Sequence, residues 1–88
     1  MNKQQILEEL LSLLEQDGVI IRREGLGGGG GICSLKGKTF LFVDTQAPIA
    51  ETTAMCAEAV LNRIDIEHIF IKPEVREFIE THIKVEKD

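Results

Sequence analysis

Thr39-Phe40-Leu41-Phe42-Val43 is apolar at every position after the first. A run of that kind, without alternation, reads as a central strand covered on both faces. Lys36-Gly37 precedes it and signals a tight hairpin turn, which makes Ile32 to Leu35 the partner strand. Asp44-Thr45 ends the run, and Pro48 then suits the first turn of a helix. Upstream, Gly25-Leu26-Gly27-Gly28-Gly29-Gly30-Gly31 separates Ile32 from another short strand, Val19 to Arg23.

Further out, the period changes from two to 3.6. Between Gln4 and Gln16, Ile6, Leu7, Leu10, Leu11 and Leu14 recur at helical spacing, and Asp17-Gly18 stops the helix. From Pro48 to about Arg63, Ile49, Thr53, Cys56, Val60 and Ile64 mark the buried stripe of a second helix. Glu67 to Ile71 predicts a fourth strand with Ile69 and Ile71 on one face. Pro73 opens a third helix, with Val75, Phe78, Ile79, His82 and Ile83 in register. The predicted order is α-β-β-β-α-β-α, an α+β domain of two layers. It has a small, largely antiparallel sheet with the helices packed on one face, and all of residues 1–88 form a single domain.

The chain has 88 residues, 15 acidic and 10 basic, for a net charge of −5. That balance argues against nucleic-acid binding, which rests on neutralising phosphates. No run of about 18 apolar residues is present, so no membrane span is expected. The first residues turn amphipathic and acidic at once, unlike a signal peptide. Two cysteines without such a signal fit a reducing cytoplasm with both thiols free. A core this small is commonly supplemented by oligomerisation.

Gly25-Leu26-Gly27-Gly28-Gly29-Gly30 matches G-x-G-x-x-G, but the dinucleotide fingerprint requires a helix after the glycines, and here a strand follows. Bare amides at Gly27, Gly28, Gly29, Gly30 and Gly31 still offer a nest for an anion. Residues 22–43 hold Arg22, Arg23, Lys36 and Lys38 against Glu24, and every other part of the chain is net acidic. In an antiparallel hairpin Lys36 and Lys38 would lie about 13 Å from the loop, at ~3.3 Å per residue. The candidate ligand-binding residues are therefore Arg22, Arg23 and Gly27 to Gly31, with an acidic small molecule as ligand. A flexible hairpin loop is the simpler reading of the same glycines.

Cys33 is the candidate reactive thiol. Thiol catalysis requires a lowered pKa from a helix N-terminus or a histidine, and a strand residue has no helix behind it. Cys56 falls among alanines on an apolar stripe and reads as core. Cys33, Cys56, His68 and His82 lack the short spacings of a zinc site. Asp44 stands where strand ends carry chemistry in open α/β sheets, and equally where a helix needs a cap. No catalytic residues, metal site or cofactor are assigned.

Gly30-Gly31-Ile32-Cys33-Ser34-Leu35-Lys36-Gly37-Lys38, Leu41-Phe42-Val43-Asp44 and Pro73-Glu74-Val75-Arg76 together resemble a group of small uncharacterised bacterial proteins. The resemblance implies a bacterial cytoplasmic domain and names no active residue. The hairpin and following helix also resemble the front of zincin-type peptidases. There that helix carries H-E-x-x-H, two imidazoles one turn apart on zinc. Here it reads Met55-Cys56-Ala57-Glu58-Ala59-Val60, without histidine, so the peptidase activity does not carry over.

The expectation is a non-enzymatic α+β module that self-associates, as a homodimer, or binds a protein partner. An anion-binding module is the alternative, and a thiol- or metal-dependent enzyme the third reading.

Overall fold

The computed structural model describes residues 1–25, 27–28 and 30–87, with the side chains of the last helix as far as His82. Helix α1 spans Lys3–Gln16. It begins where the Asn2 side chain accepts a hydrogen bond from the Gln5 amide at 2.8 Å and the Gln5 side chain accepts from the Asn2 amide at 2.9 Å. This reciprocal cap satisfies two of the donors that a helix start leaves free. Gly18, at φ +95°, turns the chain out of the helix. The five residues of the predicted stripe, Ile6, Leu7, Leu10, Leu11 and Leu14, are all buried.

Three strands follow: β1 at Ile20–Glu24, β2 at Gly31–Leu35 and β3 at Lys38–Asp44. Helices α2 (Ile49–Arg63) and α3 (Pro73–Lys87) complete the order α-β-β-β-α-α. The α+β class therefore holds, and β3 is the central strand, as its apolar run predicts.

The sheet order is β1-β3-β2, with β1 parallel and β2 antiparallel to β3. The expected largely antiparallel sheet is thus a mixed one, and the glycines do not close a hairpin between neighbours. Leaving β1, the chain crosses the C-terminal end of β3 and comes down on its far side as β2. The crossing is tight. A Cβ at Gly30 would lie 1.8 Å from the carbonyl oxygen of Phe42 and 3.3 Å from the amide nitrogen of Asp44. Between β2 and β3, Lys36 at φ 52° and Gly37 at φ 79° form the expected two-residue turn.

The predicted fourth strand is absent. Asp65 folds residues 65–68 into a turn, its side chain accepting from the Glu67 amide at 3.1 Å and its carbonyl accepting from the His68 amide at 3.1 Å. The Arg76 guanidinium then takes the Ile66 carbonyl at 2.6 Å. Asx-type turns and a side-chain claim on the backbone compete directly with a sheet ladder. Ile66 and Ile71 are buried, whereas Phe70 stands 83% exposed.

Alternation along β3 sorts the two sides of the sheet. Leu41 and Val43 are buried under the helices beside Cys56, Ala57 and Val60 of α2. Phe40 and Phe42 point the other way and stand half-buried outside that core. The run was expected to be covered on both faces, and only the Leu41 and Val43 side is fully buried. Val75 and Ile79 of α3 fill the rest of the core, and Ile83 lies outside the described side chains. Arg63 of α2 donates to Asp17 after α1 at 3.0 Å. No helix of the described residues is long and apolar enough to cross a membrane.

The crossing makes a sharp mutational contrast. Gly30→Ala should destabilise the fold by about 2–4 kcal/mol, because backbone must move to admit the methyl group. Gly28 has open space and no positive φ, so Gly28→Ala should be neutral or stabilise by up to about 1 kcal/mol. Urea denaturation of the two variants measures both. Equal effects would show that Gly30 is not under the steric limit described.

Candidate functional site

The glycines were the expected seat of an anionic ligand. Gly27 and Gly28 line a shallow cleft of about 320 Å³ with Asp44, Gln46, Ala47, Pro48 and Glu51. Gln46 fills the inner side: its side chain lies against both Gly25 and Gly27. The cleft presents two carboxylates and, among its described residues, no cation. An anionic ligand would meet the wrong charge there. Gly29 lies outside the described residues.

The structure does not bring Arg22 and Arg23 together. As consecutive strand residues they point to opposite faces of the sheet. Arg23 turns to the helical side, where its guanidinium holds Glu8 of α1 at 2.7 and 2.9 Å. That fork lowers the Glu8 carboxyl below its ordinary range, the hydrogen bond to Arg23 being the largest cause. Arg22 pairs in register with Phe42 on the open face. Gly30 and Gly31 lead into β2 and serve the crossing.

Asp44 does not cap α2. The helix begins at Pro48 without a side-chain cap. The Asp44 carboxylate, buried at the end of β3, instead accepts from the Gln46 amide at 2.9 Å and shapes the turn between strand and helix.

Cys33 is exposed in the middle of β2, beside Phe40 on the open face. His82 belongs to the helical layer on the other side, and His68 sits at 2.6 Å from Asp65 in the loop before α3. Neither histidine shares the face of the sheet that Cys33 occupies. No group of three or more His, Cys, Asp or Glu side chains able to hold a metal occurs among the described residues. Cys56 is buried in α2.

The sheet's uncovered face is the feature that sequence reading missed. Cross-strand partners share a face, so the register places Ile20, Arg22, Cys33, Leu35, Lys38, Phe40 and Phe42 together there. The Phe40 and Phe42 rings stack with centroids 6.3 Å apart. Leu35 is 60% exposed and Ile20 36%. The unbroken apolar run of β3 carried the signal: in a chain with helices enough for one side only, it means that one apolar face stays open.

Comparison with protein-family models, with curated proteins and with solved structures finds no match to this chain.

The two thiols should behave differently. Burial pushes the Cys56 thiol up from an ordinary 9.0 to about 11, opposed in part by the charge of Arg23. A neutral-thiol reagent at pH 8 should modify Cys33 in the native protein and Cys56 only after unfolding. The raised pKa of Cys56 favours its neutral form in the fold. Its contribution to stability is complete below pH 9 and is lost as pH rises from 9 to about 11. Denaturation midpoints should fall across that window, and fall less in Cys56→Ala. Native reactivity of both thiols at pH 8 would contradict the burial of Cys56.

Proposed function

We propose that the protein is a non-enzymatic module that self-associates through its three-stranded sheet, in the reducing cytoplasm. The observation that carries this reading is the sheet face opposite the core, where exposed Ile20 and Leu35 lie together with half-buried Phe40 and Phe42. A contiguous apolar patch on a small protein marks an interaction surface. The core supports the same reading, because all of it lies between the helices and one side of the sheet.

A second copy of the chain fits this surface by composition. The sheet side bears Arg22, Lys36 and Lys38, whereas α1, α2 and the loop before α3 are net acidic. One molecule therefore displays both signs of charge on different parts of its surface, which favours ordered pairing of copies over random contact. The free thiol at Cys33 and the buried one at Cys56 suit a compartment that keeps thiols reduced.

Sedimentation velocity tests the reading on the reduced 88-residue chain. Its mass is 9.8 kDa, and the weight-average mass should climb toward twice that between low micromolar and several hundred micromolar protein. Leu35→Glu, at a side chain already largely exposed, should weaken the association by about tenfold or more without lowering the melting temperature. A chain that stays monomeric throughout the range would contradict the proposal.

A further inference from the structure

We propose that two copies join edge to edge, β2 against β2, in antiparallel register about a two-fold axis at Cys33, forming one continuous sheet. This rests on the self-association proposed above and places the contact at the β2 edge beside the open face, not across that face.

Hydrogen-bond phase comes first. The two-residue turn at Lys36-Gly37, with positive φ at both positions, closes on Leu35 and Lys38 as a hydrogen-bonded pair. Pairs alternate along an antiparallel ladder. Cys33 with Phe40 and Gly31 with Phe42 are therefore hydrogen-bonded pairs, whereas Ile32 with Leu41 and Ser34 with Thr39 are not. It follows that the main-chain N–H and C=O groups of Ile32 and Ser34 face away from β3, out of the sheet.

The sheet has two edges, and only one is protected. Natural edge strands are usually blunted by charge, proline or a bulge. β1 carries Arg22, Arg23 and Glu24, and Arg23 is tied to α1 through Glu8. β2 reads Gly31-Ile32-Cys33-Ser34-Leu35, with no charge and no proline. Its side chains are exposed from Ile32 to Leu35.

One register uses all five residues of β2. Centred on Cys33, it sets Ile32 of each copy opposite Ser34 of the other, and these are the residues with outward main-chain groups. Each such pair exchanges both hydrogen bonds. Cys33 then faces Cys33 of the second copy as a non-hydrogen-bonded pair, with Cα atoms about 4.5 Å apart. Leu35 comes opposite Gly31 of the second copy. Gly31 has no side chain, so Leu35 lies across the gap toward Phe42, the residue paired with Gly31 on the same face.

The charges agree with this direction. The Lys36 turn of one copy arrives at the Gly30 end of the other, where Glu51 lines a cleft with Gly30. A parallel pairing would instead bring the two Lys36 turns together. Face-to-face stacking would press the Arg22 and Lys38 side chains of both copies into one apolar interface. Five residues a side make a small contact, which places the affinity in the range of weak, transient assemblies.

Cys33 makes the register measurable. Diamide, an azodicarboxamide oxidant, accepts two electrons and two protons from two thiols. It becomes the hydrazine as one S–S bond forms between the two Cys33 sulfurs. A separation near 4.5 Å lies within the span a disulfide bridges. The 88-residue chain should give a dimer band that disappears on adding dithiothreitol, and Cys33→Ser should abolish the band while leaving the sedimentation profile unchanged. Ser34→Pro removes an outward N–H and spares the ladder to β3. It should keep the melting temperature within a few degrees and cut both cross-linking and association by about tenfold or more. Ile32→Lys, which puts a charge on the same edge, should do likewise if the proline variant fails to fold. Equal cross-linking in wild type and in a folded edge variant would overturn the β2 pairing. So would a sedimenting dimer that does not cross-link through Cys33, and that result leaves self-association standing. A chain that is monomeric at every concentration would overturn both.

Discussion

Gly30 passes over the carbonyl of Phe42 with no room for a Cβ, and the rest of the sheet depends on that passage. β3 lies between β1 and β2 although it follows both in the chain. That order requires the β1–β2 connection to cross the end of β3 at backbone distance, where a side chain at residue 30 has no room. The cost of ordering so many glycines is high, and one steric requirement accounts for a glycine at this point. The crossing also decides which strand ends at the edge. β2, the uncharged strand, is placed outermost, and the charged β1 takes the other side.

The second constraint is supply. Three helices cover one side of a three-stranded sheet, and the leucines of α1 with Cys56, Ala57 and Val60 of α2 close that core. Phe40 and Phe42 stay outside that core and only half-buried. The apolar character of β3 therefore serves two surfaces, an internal one through Leu41 and Val43 and an external one through the phenylalanines. An open apolar face beside an unprotected edge is what a single copy leaves unfinished.

Local signals in the sequence were read correctly, and non-local ones were not. The stop at Gly18, the turn at Lys36-Gly37 and the helix starts near Pro48 and at Pro73 each depend on a few neighbouring residues. Strand order depends on which distant segment wins the place beside β3, and glycines between β1 and β2 suggest a hairpin equally well. Residues 67–71 have strand-like composition but lose the competition to Asp65 and Arg76, whose grip on the backbone appears only in three dimensions. Arg22 and Arg23 look like one basic cluster along the chain. The pleat sends them to opposite faces, and Glu8 takes the second. At the cleft itself, Asp44 and Glu51 meet the glycines from the far side of the crossing, a juxtaposition no spacing could reveal.

Amide hydrogen exchange, resolved residue by residue at low and high protein concentration, reads the β2 pairing at the groups that form it. The amides of Cys33 and Leu35 donate to β3 and should be protected at both concentrations. Those of Ile32 and Ser34 face outward and should exchange freely in dilute protein, then slow by about tenfold or more when the chain is concentrated. Free exchange of Ile32 and Ser34 at every concentration would mean that the β2 edge stays unpaired and that the sheet does not extend into a second copy.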